Sequence, residues 1–289
     1  MKPRKRSLRS FKAGKKSSAK RTKFSRKLLC FDENILLASW HTQAYNTHGN
    51  KAAPHQPSMV PSEGKDKGNS MVTYETVRQN ADIQEYIHQA DKALEAIGFT
   101  EHALPHVTKA AVVAAMILTE LGYDERTVEL AKIAAHLHDI GNIVNRVDHA
   151  QSGAVLAFRL LDKMGMEARE IALVIGAIGN HDEGTAAAIN PIAAALILAD
   201  KTDVRRTRVR NNNFAQFDIH DRVNYAVENA SVRLEREKHR FILDLTIDTE
   251  ISPVMDYFEI FLGRMMLCRK ASEFFGLKFS LVINEQKLL

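Results

Sequence analysis

The stretch Ala134-Ala135-His136-Leu137-His138-Asp139-Ile140-Gly141-Asn142 decides how the rest of this chain is read. It begins as the end of an apolar helix and closes on an adjacent His-Asp pair followed, two residues on, by a glycine. An imidazole and a carboxylate at one helix end, beside a turn, offer the N and O donors that a hard or borderline divalent metal takes. Residues of the same kind recur where helices should meet: His106 on an apolar helix, His149 at a helix start, His181-Asp182 at a helix end, and Asp200 closing the run AAALILAD. Asp200 ends an otherwise buried stripe, and a carboxylate is costly to bury unless something cationic meets it.

Outward from that stretch the text is a series of helices with short punctuation. The spacing of Val72, Val77, Ile83, Ile87, Ala90 and Leu94 predicts a helix over 73–97, stopped by Gly98. A second is expected over 102–121, closed by Gly122, and a third over 125–138 with Asp124 as N-cap. Asp148 with Gln151 reads as a capping box for a fourth over 149–164. A fifth covers 167–178. Asn190-Pro191 opens a sixth that runs through Asp200 toward Arg210. The period then changes: 241–248 (FILDLTID) and 277–283 (LKFSLVI) alternate as half-buried strands do, with a helix over 253–275 between them. The expectation is a mainly α protein, a helical bundle with a small C-terminal strand-helix-strand appendage. Two strands alone are marginal, so the appendage must pack on the bundle or pair with a second copy. A homodimer through it is therefore one expected partnership.

Of 289 residues, 45% are apolar and 26% charged, which is ordinary for a soluble protein. Two cysteines, Cys30 and Cys268, exclude a disulfide framework or a Cys-based zinc site and fit a reducing compartment. No apolar run approaches the roughly 20 residues needed to span a bilayer. The net charge of +5 misleads, because residues 1–27 carry 13 Lys/Arg and no acid, which leaves 27 basic against 35 acidic residues elsewhere. The body is acidic, so nucleic acid is an expected partner only through the basic start. Residues 1–70 read as a disordered basic and low-complexity extension: a transit peptide, a nucleic-acid-binding tail, or an over-extended start ahead of Met71. Residues 71–235 are expected to form the helical metal-binding domain and 236–289 the appendage, in a cytoplasmic protein.

The order His106, His138-Asp139, Asp200, with HLHDIG at its centre, resembles the HD superfamily of metal-dependent phosphohydrolases over roughly residues 83–210. The resemblance implies an HD-type bundle in which His106, His138, Asp139 and Asp200 bind one metal ion. Members with two metals add histidines between the pair and the last aspartate. His149, followed by Gly153-Ala154, and His181 stand in those places, and Asp139 would then bridge both ions; a one-metal site would leave the two histidines as neighbours of the ligands or substrate contacts. Either way the cofactor would be one or two divalent ions among Mn, Fe, Co, Ni, Zn and Mg. Water made acidic by the cations would attack phosphorus.

Two departures narrow this. Many members have Lys after HDIG, where this chain has Asn142, and the Gly-Tyr-Pro motif of the subgroup that cleaves cyclic di-guanylate is replaced by NHDEGTAAAINP. Asp139 and Lys109 are the candidate catalytic residues. Lys109, on the His106 face, Asn142, Lys201, Arg205 and Arg206 are the candidates for holding a small phosphorylated substrate such as a nucleotide. The four arginines at 205, 206, 208 and 210 either line the substrate's route or form a solvated helix end, with Asp203 and Asp221 pairing locally. His88, His102, His136, His220 and His239 read as ordinary core or surface residues, the Met-rich 255–266 as core, and nothing points to a Ser or Cys nucleophile. The alternatives are a nucleotide-binding sensor or scaffold with little turnover, and a di-iron oxygenase of the same superfamily.

Overall fold

In a computed structural model, residues 71–211 and 213–289 are described; the extension expected over 1–70 lies outside them. Helices α1 (Tyr74–Arg78), α2 (Ala81–Ala96), α3 (Leu104–Glu120), α4 (Glu125–Leu137), α5 (His149–Lys163), α6 (Ala168–Gly179) and α7 (Pro191–Lys201) form the bundle. After them come α8 (Ile219–Ala226), β1 (Val227–Glu235), β2 (Arg240–Ile247), α9 (Val254–Phe274), β3 (Lys278–Ile283) and the short β4 (Gln286–Lys287). The protein is mainly helical with one small sheet, as expected.

The local chemistry explains most boundaries. The single helix expected over 73–97 is two helices, because Asn80 turns extended and its Oδ1 accepts from Ile83 N at 3.1 Å, starting α2 afresh. Asp124 caps α4 in the same way, accepting from Thr127 N at 2.9 Å, and Asn190 caps α7, accepting from Ala193 N at 2.7 Å. The capping box expected at Asp148 is absent: Asp148 adopts a left-handed backbone (φ 57°) and its side chain makes no cap bond. Helix α7 ends at Lys201 and does not run on to Arg210. The Thr202 hydroxyl donates to Leu198 O at 2.6 Å, satisfying a carbonyl that a continuing helix would have used, and the chain turns away.

Every residue from Ile192 to Lys201 is buried, because α7 is the centre of the bundle, packed by α3, α4, α6 and α9. Four alanines on it let these neighbours approach closely. Gly141 has a different task. A Cβ there would lie 2.0 Å from His149 O and 2.4 Å from Gly153 N, so only glycine seats the turn after Asp139 directly on the first turns of α5.

The sheet has the order β1-β2-β3-β4. β1 and β2 are an antiparallel hairpin, β2 and β3 run parallel with α9 as the crossover, and β4 returns antiparallel. Phe241 stacks on Phe279 across the parallel pair, with ring centroids 6.3 Å apart. The sheet therefore starts at Val227, and the boundary expected at 235/236 falls inside the first hairpin. Tyr257, Phe261, Met265 and Cys268 of α9 are buried, and α9 packs against α7 as well as β3, which docks the sheet onto the bundle. Met265 is core, whereas Met255 and Met266, also expected there, are exposed. Among the described residues no helix is long and apolar enough to cross a membrane.

Candidate metal centre

Five helix ends meet at one place. His106 comes from the first turn of α3, where Pro105 needs no hydrogen-bond acceptor for its nitrogen; His138 is the C-cap of α4 and Asp139 follows it. His149 opens α5, His181 follows α6, and Asp200 stands in the last turn of α7. All six residues are buried. The structure thus brings together all six expected ligands.

Hydrogen bonds decide which nitrogen of each imidazole is free. His106 Nδ1 meets the Asp203 carboxylate at 2.8 Å, while His138, His149 and His181 turn Nδ1 on the carbonyls of Ala135 (2.7 Å), Arg146 (3.0 Å) and Ile178 (2.6 Å). Carbonyl and carboxylate oxygens only accept, so each Nδ1 carries the hydrogen and each Nε2 a lone pair. Those lone pairs face one another: His106 Nε2 lies 3.3 Å from His138 Nε2, and His149 Nε2 lies 3.2 Å from His181 Nε2.

Asp139 stands between the two pairs. Its Oδ2 is 3.6 and 3.2 Å from the Nε2 atoms of His106 and His138, and its Oδ1 is 3.5 and 4.0 Å from those of His149 and His181. Asp200 Oδ1 adds a second oxygen to the first pair, at 3.3 Å from His106 and 3.6 Å from His138. Donor atoms that share an ion at about 2.1 Å stand roughly 3.0–3.4 Å apart; the four separations of 3.2–3.3 Å fall in that window and the others, 3.5–4.0 Å, lie just beyond it. At His106 and His138 the converging acceptors are repulsive unless a cation lies among them, whereas at the second pair Arg146 Nη1 stands 3.2 Å from His149 Nε2. The residues therefore fit divalent metal, with Asp139 placed to serve two ions.

The titration of the bare cluster points the same way. Burial opposes charge on His138, yet Asp139 and Asp200 together push its pKa up to about 10, so a proton takes the cation's place. Burial disfavours ionised Asp139 and Asp200, but His138 for the former and Lys201 for the latter hold both well below the usual carboxylate range. His149 and His181 are pulled down, chiefly by burial, which keeps them neutral ligands.

Around the centre the sequence expectations divide. Asn142 does not reach outward: its Nδ2 donates to Asp139 O (2.9 Å) and Oδ1 (3.0 Å), fixing the carboxylate. Lys201 is buried and pairs with Asp200 Oδ2 at 2.7 Å and Glu183 at 3.6 Å. Lys109 spends its ammonium on Asp203 Oδ1 at 2.8 Å. Arg205 is held by Asp203 (3.0 Å) and Glu101 (3.1 Å). Arg206 donates to Tyr225 O at 2.6 Å and stacks on the Tyr225 ring. Lys109, Arg205 and Arg206 do not line the cleft at the centre: Lys109 is turned to Asp203, and Arg205 and Arg206 stand past the early end of α7.

Other cations take their place. A cleft of about 10 Å³, room for roughly one water, is lined by Asp139, His149 and Asp200 together with Arg146, Lys201, Arg208 and Arg264. Arg146 follows Asn142 by four residues and supplies positive charge where a lysine after HDIG is missing. Arg208 is buried, donating to Glu101 O and Asp203 O. Arg264 comes from α9, so the C-terminal unit builds one wall of the centre. His102, set aside as ordinary, lines this cleft too, with Nδ1 on Thr100 O at 2.6 Å. Asp203, read as a local pairing partner, in fact orients His106. Arg146, Asp203 and His102 carried one signal in the sequence, their nearness to the candidate ligand residues.

Fold and site define a helical protein with a His/Asp centre fitted for divalent metal. Residues 104–205 match the family model described as HD domain. A crystal structure of a predicted HD superfamily hydrolase from an uncultured Thermotogales bacterium is similar at 29% identity, over 43% of this chain and 67% of that one, with a TM-score of 0.34. No curated protein matches the sequence.

Proposed function

We propose that this protein is a metal-dependent phosphohydrolase that cleaves a phosphoester of a nucleotide or similar small phosphate compound. The observation that carries the reading is the meeting of two features: a buried cluster of six His and Asp side chains that could hold metal, of which Asp139, His149 and Asp200 line the cleft, and the cations Arg146, Lys201, Arg208 and Arg264 that line it with them. His106, His138, Asp139 and Asp200 would hold one ion, and Asp139, His149 and His181 a second. Bound metal supplies acidified water and offsets charge building on the phosphoryl oxygens. Arg146, Arg208 and Arg264 orient the phosphate, since guanidinium forks match its oxygens. Asn142 keeps the Asp139 carboxylate in place, and Asp203 keeps the hydrogen of His106 on Nδ1. In the reaction water adds to phosphorus, the ester P–O bond breaks, and the alcohol leaves with one proton of the water.

The test is His138→Ala and Asp139→Ala in the metal-loaded protein, with metal per chain, circular dichroism and phosphate release from a panel of phosphoesters measured side by side. Both variants should keep their helices and lose metal and turnover together. Unchanged turnover in both would overturn the reading.

A further inference from the structure

The cleft at the metal centre is the narrow end of something larger. A cavity of about 210 Å³ shares His102, Arg146, Arg208 and Arg264 with it and is lined also by Phe99 and Phe261, over whose rings the Arg146 and Arg264 guanidinium groups lie. Its far end is built by α8 and is different in kind: Asp218, His220, Asp221 and Asn224 line it. The two ends hold buried polar groups of opposite sense. Arg208 is 4% exposed and uses Nε and Nη1 on backbone carbonyls, leaving Nη2 as a donor. Asn224 is 5% exposed and uses its Nδ2 on His220 O at 2.9 Å, leaving Oδ1 as an acceptor with no partner among the described residues.

Carboxylates and a lone amide oxygen accept hydrogen bonds and give none. In that group only His220 and the second hydrogen of the Asn224 amide can donate. We infer that this cavity selects a phosphomonoester whose other end carries hydrogen-bond donors, an ammonium group or hydroxyls, with the phosphate among Arg146, Arg208 and Arg264 and the donors against Asn224, Asp221 and Asp218. The inference rests on the phosphohydrolase reading and names its substrate class. Two carboxylates at the far end repel a second phosphate, so monophosphates are favoured over bisphosphates. Burial and the neighbouring Asp218 raise the pKa of Asp221, against the opposing pull of Asn211 and His220. Phe99 and Phe261 give the connecting carbons an apolar wall.

Phosphonates test this without turnover, because their C–P bond leaves no ester to cleave. Calorimetry on the full-length metal-loaded protein would compare methylphosphonate, alkylphosphonates of three to five carbons, their ω-amino and ω-hydroxy counterparts, and propane-1,3-bisphosphonate. At the matching length a donor-bearing compound should bind at least tenfold more tightly than the plain alkyl one, and the bisphosphonate more weakly than propylphosphonate. An amine that outbinds the alcohol identifies a cationic body, and the reverse identifies a polyol. In the Asp218→Asn, Asp221→Asn double variant, which keeps the N-cap oxygen of α8, the amine preference should fall to within twofold of unity. Equal affinities at every length, or a preference that survives the double variant, overturn this inference alone. If methylphosphonate and inorganic phosphate also fail to bind, the phosphohydrolase reading falls with it.

Discussion

Replacing Asp203 by Asn should damage the metal centre without touching a ligand. Asp203 is fully buried and receives His106 Nδ1 at 2.8 Å, Lys109 at 2.8 Å and Arg205 at 3.0 Å, so burial is outweighed and its carboxyl stays well below the usual range. Asparagine keeps the shape and loses the charge. With the two cations drawing its oxygen, its NH2 turns to His106, whose Nδ1 must then accept. The imidazole hydrogen moves to Nε2, into the space between His106 and His138. Removing a partner of this kind costs about 10- to 100-fold in metal affinity, or about 1.4–2.7 kcal/mol. Competition against a chromophoric chelator measures that loss. The fold should lose about 2 kcal/mol, a charged hydrogen bond's worth, read as a lower melting temperature in the metal-free state. Lys109→Met is the control: it removes another partner of Asp203 but leaves the His106 hydrogen on Nδ1, so metal affinity should shift less than threefold. Asp203→Asn binding metal within twofold of the parent would refute the argument.

Two more outcomes follow from the same geometry. In chelator, His138 has a folded pKa near 10 against about 6.5 unfolded. The stability it contributes is complete below about pH 6.5 and is lost as pH climbs through the folded value, because the native state holds the extra proton; melting temperature should fall across that window in chelator and hold level with metal bound, and a flat profile in chelator would count against the site's electrostatics. Gly141→Ala places a methyl 2.0 Å from His149 O and 2.4 Å from Gly153 N, both backbone atoms with nowhere to go. A loss of about 3 kcal/mol or more should accompany a drop in metal per chain, and a variant with parental melting and metal content would show that α5 can slide.

The bundle was legible because its punctuation is chemical: Asp124, Asn190-Pro191, Gly98 and Gly122 mark ends by what their backbones and side chains do locally. The six candidate ligands were legible because acids and histidines stand at helix ends where apolar residues belong. The break at Asn80 escaped because the apolar spacing continues across it. β1 escaped although Ala230, Val232 and Leu234 alternate with Ser231, Arg233 and Glu235, because as an edge strand its inward side chains are only partly buried and stand in a run rich in charge. The stop after Lys201 rests on one hydroxyl, that of Thr202, in a run whose composition reads as helix. Arg264, Phe261 and Asn224 reach the cavity through tertiary packing of α8 and α9, and no spacing rule connects them to His138. His102, for all its nearness to His106, looks like any solitary histidine until its free nitrogen is placed.

Drawing the ligands from five separate helix ends makes an ion at this centre a staple as well as a reagent. His106 and Asp200 lie 94 positions apart in the chain, so an ion joining them closes a loop that takes in most of the bundle and has no counterpart in the unfolded chain. At a free concentration one hundred times its dissociation constant, such an ion adds about 2.7 kcal/mol to folding. Cellular metal supply would then set the lifetime of the protein along with its activity: starved of the ion, the start of α3 and the ends of α4 and α7 lose their common anchor, and protease cleavage there would convert a passing shortage into permanent loss.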